Sequence, residues 1–146
     1  MALGRTNGGT EPCSIVLAQR QALMREVFVR LLEGVPALRI ADHTDSIDAA
    51  VTVAAAKRPD VVVVDDLCVE IEGAAALARI KSASENSAVL LMTNDVDHGQ
   101  IVAALACGAD GIVLTSISVQ ALVDTIQRLV RRGPAPVLRR APLGSA

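Results

Sequence analysis

Pro59-Asp60-Val61-Val62-Val63-Val64-Asp65-Asp66 lies near the middle of the chain, and its reading decides the fold. Four consecutive β-branched apolar residues, entered from Pro59-Asp60 and left through two carboxylates, read as a short strand buried on both faces. Such a strand belongs inside a parallel sheet, where neighbouring strands are reached through helical crossovers. Asp65 and Asp66 therefore stand at the carboxyl end of a central strand. In open α/β sheets that edge gathers the loops that bind ligands and carry chemistry.

Outward from this strand, apolar runs alternate with helical periodicity. Upstream, residues 14–18 (Ser-Ile-Val-Leu-Ala) form a first strand, and Leu23, Met24, Val27, Phe28, Leu31 and Leu32 recur at helical spacing up to Gly34, ahead of Pro36. Residues 38–41 form a second, weaker strand; Asp42, Thr44, Asp45 and Ser46 are N-cap candidates for a helix carrying Ile47, Ala50, Val51 and Ala54, stopped at Arg58-Pro59. Downstream, a loop leads from Asp65 to a helix that begins near Gly73 and runs through Lys81. Residues 88–92 form a fourth strand running into Thr93-Asn94-Asp95, and residues 97–107 a short Ala-rich helix ended by Gly108. Residues 111–114 form a fifth strand ending at Thr115-Ser116, after which Ser118 caps a helix with Val119, Leu122, Val123, Ile126, Leu129 and Val130 on one face.

Five strands alternating with five helices at these spacings leave only direct right-handed crossovers. The predicted class is α/β: a (βα)5 doubly wound parallel sheet, flavodoxin-like, in strand order 2-1-3-4-5. Residues 1–13, rich in Gly, Thr, Asn and Pro, are expected to be a flexible segment, residues 14–132 the domain, and residues 133–146 a linker-like tail. Arg128, Arg131, Arg132, Arg139 and Arg140 make that end basic, either as a solvated face or as a contact for acidic partners.

A chain of 146 residues, 51% hydrophobic, suffices for one domain with a full aliphatic core. Trp and Tyr are absent and Phe28 is the only aromatic, so the stacking residues of a single-strand nucleic-acid reader are missing. A net charge of −2 supplies no global field toward nucleic acid or membrane, which leaves proteins as the expected partners. Cys13, Cys68 and Cys107 are odd in number and outside any metal or CxxC spacing, so they read as reduced packing thiols. His43 and His98 are isolated, which excludes them as metal ligands. No apolar run approaches the length of a membrane span, and residues 1–12 lack a signal-peptide core; the expectation is a soluble cytoplasmic protein.

The predicted carboxyl edge of the sheet carries Gln19 and Arg20, Asp65, Thr93 and Thr115. Together with Arg58-Pro59-Asp60 before the central strand, Gly73 eight residues after Asp65, and Cys107-Gly108-Ala109-Asp110-Gly111 before the fifth strand, these make the chain resemble the receiver domain of bacterial response regulators over residues 14–132. The pattern is most similar to receivers that precede a helix-turn-helix output domain in transcription regulation. No such domain lies in this chain, which therefore reads as a stand-alone receiver or a fragment, with DNA reached only through a domain it lacks. The resemblance implies a non-enzymatic module of two-component phosphorelay signalling. Asp65 falls on the position that accepts a phosphoryl group from a sensor histidine kinase, and Thr93 on the switch hydroxyl that bonds the phosphoryl oxygens. Gln19 and Arg20 stand where the family has an acidic pair for Mg²⁺, Thr115 where it has a Lys, Ile112 where an aromatic rotates with the switch, and Val69 where it has a Pro.

These departures bear on the chemistry. A carboxylate attacking a phosphoryl group brings anions together, so transfer needs a metal and a cation to neutralise developing charge. If both were worth ~4 kcal/mol, their loss would slow transfer roughly 10³-fold. The expectation is an atypical receiver that needs no metal or cofactor and regulates through protein contacts. The alternative is a conventional receiver with Asp65 phosphorylated and Mg²⁺ bound. An enzyme or nucleotide binder is disfavoured because the loop Ala18-Gln19-Arg20-Gln21 is neither GxGxxG nor a Walker motif. Arg20 is expected either to pair with Asp65 or to point into solvent. Asp66 is expected to cap or to face solvent on the other side of the strand, and Glu70, Glu72 and Asp95 to be solvated loop charges. By resemblance the association surfaces fall on residues 97–107 and 119–132. The first of these is apolar all round, which predicts a constitutive homodimer; a sensor histidine kinase or another signalling protein is the other expected partner.

Overall fold

The computed structural model describes residues 11–94 and 98–132. The elements run β1 (Cys13–Ala18), α1 (Ala22–Glu33), β2 (Leu38–Thr44), α2 (Ile47–Lys57), β3 (Val61–Asp65), α3 (Asp66–Glu72), α4 (Ala75–Ala83), β4 (Ala88–Thr93), α5 (His98–Ala106), β5 (Gly111–Leu114) and α6 (Val119–Arg132). All strand pairs are parallel and the order is β2-β1-β3-β4-β5, as the alternation predicts. Most of the expected flexible segment 1–13, all of the tail 133–146, and Asp95, Asp97, Arg139 and Arg140 lie outside the described residues.

Each face of the sheet has its own core. Val16, Ala18, Val62, Val64, Val89 and Leu91 pack against α2, α3, α4 and α5 through Ile47, Ala50, Cys68, Leu77, Ile80 and Ala104. Ile15, Leu17, Val61, Val63, Leu90 and Met92 pack on the other face against Leu32 of α1 and Leu122, Ile126 and Leu129 of α6. Val61 to Val64 alternate between these two cores, which is why every residue of β3 must be apolar until the strand ends at Asp65.

The described residues contain six helices where five were expected. The stretch after Asp65, predicted as a loop, is α3. It forms because Asp65 accepts a hydrogen bond from the Leu67 amide as N-cap, Asp66 adds a negative charge to the first turn, and Gly73, at φ 91°, closes the end. A Pro at the position of Val69 would deny this helix an amide in its second turn. The last helix starts as predicted, with Ser118 Oγ accepting from the Ala121 amide at 3.1 Å.

Two acids in the motifs behind the resemblance brace the opposite edge of the sheet. Asp60 Oδ2 accepts from the Ser14 amide at 2.9 Å. Buried Asp110 accepts from the Val89 amide at 2.8 Å and from Lys81 Nζ at 2.9 Å. They close the domain and take no part in the site.

Candidate functional site

β1, β3, β4 and β5 deliver Gln19, Asp65, Thr93 and Thr115 to one edge. Gln19, Asp65 and Thr93 are buried. Burial pushes the Asp65 carboxyl above the usual carboxylate range, helped by the neighbouring charges of Asp66 and Glu70; the Leu67 amide and the Gln19 side-chain amide act against it. Gln19 is itself fixed, its Oε1 accepting from the Gln21 amide at 3.2 Å and its carbonyl from Arg25 at 2.8 Å.

Arg20 does not complete this group. It is exposed, it makes no ion pair with Asp65, and its charge is not among the influences on that carboxyl. The chain turns at Arg20 toward α1 and carries the long side chain into water.

Asp66 differs from its expected placement. As the first residue of α3 it swings across the strand edge toward β4 and is half-buried. Its Oδ2 accepts from Thr93 Oγ1 at 2.7 Å and from the Asn94 amide at 3.2 Å. Thr115 backs this contact: its amide donates to the Thr93 carbonyl at 2.9 Å, and its hydroxyl bonds the Asn94 side-chain oxygen. Asn94 is a site residue that sequence reading did not single out. Ile112 is partly buried against the core of the α2–α5 face.

Glu72 corrects a second expectation. Instead of being a solvated charge, it accepts from the Ile47 amide at 2.7 Å and the Asp48 amide at 2.9 Å, so that the end of α3 caps the start of α2. Glu70 is exposed, as expected. Burial, then the charge of Asp65, pushes the Cys68 thiol up to about 12, so it stays protonated as a packing group.

The Mg²⁺ that the resemblance implies needs hard oxygen ligands in octahedral geometry. Around Asp65 the donors are an amide oxygen already bonded to Gln21 and a carboxylate bonded to Thr93 and Asn94, and the remaining position is a cation in solvent. This set does not fit the ion, and among the described residues no three His, Cys, Asp or Glu side chains are grouped to hold a metal.

A family model for the response regulator receiver domain matches residues 15–127. The chain belongs to that family. Receivers are signalling modules rather than enzymes, and this one shares 31% identity over 124 residues with the protein-glutamate methylesterase/protein-glutamine glutaminase 2 of Anaeromyxobacter dehalogenans (strain 2CP-C). The match covers 85% of this receiver's chain and 36% of that protein, so the chain spans about a third of the length of that curated relative. The receiver is similar to a DNA-binding response regulator of the LuxR family from Staphylococcus aureus, at 26% identity and a TM-score of 0.71, covering 81% of this chain and 98% of that one. It is likewise similar to the signal receiver domain of a DNA-binding response regulator from Colwellia psychrerythraea 34H, at 26% identity and a TM-score of 0.68, with 81% and 98% covered. No described helix is long and apolar enough to cross a membrane.

Proposed function

We propose that this receiver regulates a partner through protein contacts and is not switched by Mg²⁺-dependent phosphorylation of Asp65. One observation carries the reading: among the described residues no cation faces Asp65. Its surroundings are the Gln19 amide and the carboxylates of Asp66 and Glu70. Attack on a phosphoryl group would add negative charge to a site that already holds too much, with neither metal nor lysine to offset it. Thr115, at the lysine position, spends its hydroxyl on Asn94.

The contacts that remain for signalling are apolar. A second copy of the chain is the proposed partner, associating constitutively because no phosphoryl switch gates it. Incubation with acetyl phosphate and Mg²⁺, followed by intact-mass analysis, is expected to leave the wild-type mass unchanged, and calorimetry is expected to show no Mg²⁺ binding that depends on Asp65. A stoichiometric phosphoryl adduct that vanishes in Asp65→Asn would instead establish the conventional receiver.

A further inference from the structure

We propose that Asp66 is a built-in occupant of the subsite for phosphoryl oxygens, clamping the Thr93 switch in one state without any phosphoryl group. The inference rests on the reading of an unphosphorylated receiver and adds what holds its switch. A single oxygen of Asp66 gathers the Thr93 hydroxyl at 2.7 Å and the Asn94 amide at 3.2 Å. An ionised carboxylate only accepts, so the Thr93 hydroxyl must donate its one proton to Asp66. That proton is the one the resemblance assigns to a phosphoryl oxygen. An internal anion thus already satisfies it, in a charge-assisted bond stronger than a neutral one.

The geometry depends on two local features of this chain. A second carboxylate follows Asp65 directly, and α3 starts at once, which turns that carboxylate toward β4. Thr115 closes the far side by bonding the Thr93 carbonyl and the Asn94 side chain. The clamp reaches the sheet through register: Thr93 pairs with Leu114 and Leu91 with Ile112, the position of the family's moving aromatic. With Thr93 held, Ile112 stays packed against the core of the α2–α5 face.

Amide exchange and methyl spectra of the full chain, recorded with no phosphoryl donor present, test this. Asp66→Ala is expected to speed exchange at the Asn94 amide about tenfold or more, with Asp66→Asn in between. Thr93→Val breaks the same bond from the other end. It should therefore shift the Ile112 methyl signals in the same direction as Asp66→Ala, and the double variant should shift them no further. Unchanged Asn94 exchange in Asp66→Ala, or additive shifts in the double variant, would overturn the clamp. Phosphorylation of the wild type would overturn the function proposed above, while the exchange measurement decides the clamp on its own.

Discussion

Asp65 holds a charge that its surroundings do not welcome. Because burial raises its folded-state pKa, the native state binds the proton more tightly than the unfolded chain does. The resulting destabilisation is fully present above the raised pKa and disappears as pH falls below the ordinary carboxylate range. Asp65→Asn removes the charge and keeps an acceptor for the Leu67 amide, since Asn caps helices as well as Asp. The variant is therefore expected to be more stable than wild type at neutral pH by on the order of 1 kcal/mol, a few degrees in Tm. That gain should shrink as the pH falls through the raised folded-state pKa and vanish by about pH 3, below the ordinary carboxylate range, where Asp65 carries its proton in both states. Thermal melts at the two pH values check this; a lower Tm for Asp65→Asn at neutral pH would mean that the ionised carboxylate is stabilised in the fold.

α3 is too short to stand on its own, and it persists because both ends serve neighbours. Its N-cap is Asp65, its first residue holds the end of β4, and Glu72 in its last turn caps α2 alongside Ser46, whose Oγ accepts from the Ala49 amide at 3.0 Å. Removing the Glu72 carboxylate leaves two amides at the α2 N-terminus without their acceptor. Glu72→Ala is expected to cost about 1–2 kcal/mol and Glu72→Gln less, with faster amide exchange at Ile47 and Asp48. Urea unfolding and hydrogen exchange measure both effects. A cost below a few tenths of a kcal/mol would show that water serves these amides equally well. The ion pair of Arg79 on α4 with Asp48 on α2 is exposed and contributes little.

At the scale of the whole molecule, the apolar surface left for association is not where the sequence pattern pointed. In α5, Ala104 is buried, Ile101 and Leu105 are half-buried, and Val102 is the large apolar residue left open to solvent. In α1, Leu23 is 74% exposed, and Met24, Val27 and Leu31 lie at 39%, 40% and 48%, at the spacing of one helical stripe. Arg25, Glu26, Arg30 and Glu33 on this helix carry both signs, which suits antiparallel packing against a second copy. Burying roughly 350 Å² of apolar area a side would contribute on the order of 15 kcal/mol before association costs of similar size, which places the dimer in the weak to moderate range. Sedimentation is expected to show a concentration-dependent dimer, unaffected by acetyl phosphate, that Leu23→Glu or Val27→Lys weakens at least tenfold. Leu105→Lys should instead lower Tm, because that side chain packs on the core. A monomer at ~100 µM (Kd weaker than about −5 kcal/mol of binding energy) would defeat the dimer.

The sheet was legible in the sequence because burial on both faces demands uninterrupted apolar runs, whatever the rest of the chain does. The strand order, the Ser118 cap and the gathering of Gln19, Asp65, Thr93 and Thr115 at one edge followed from that and from short crossovers. α3 was hidden, since seven residues are too few to display a helical period and its stability comes from what its ends bind. The pairing of Asp66 with Thr93 spans 27 positions and that of Glu72 with Ile47 spans 25. A carboxylate looks the same in the sequence whether it is solvated, caps a distant helix or accepts from a hydroxyl at the end of a neighbouring strand. Only the tertiary structure, by setting where each backbone turn aims its side chain, decided which of these each acid does and sent Arg20 into solvent.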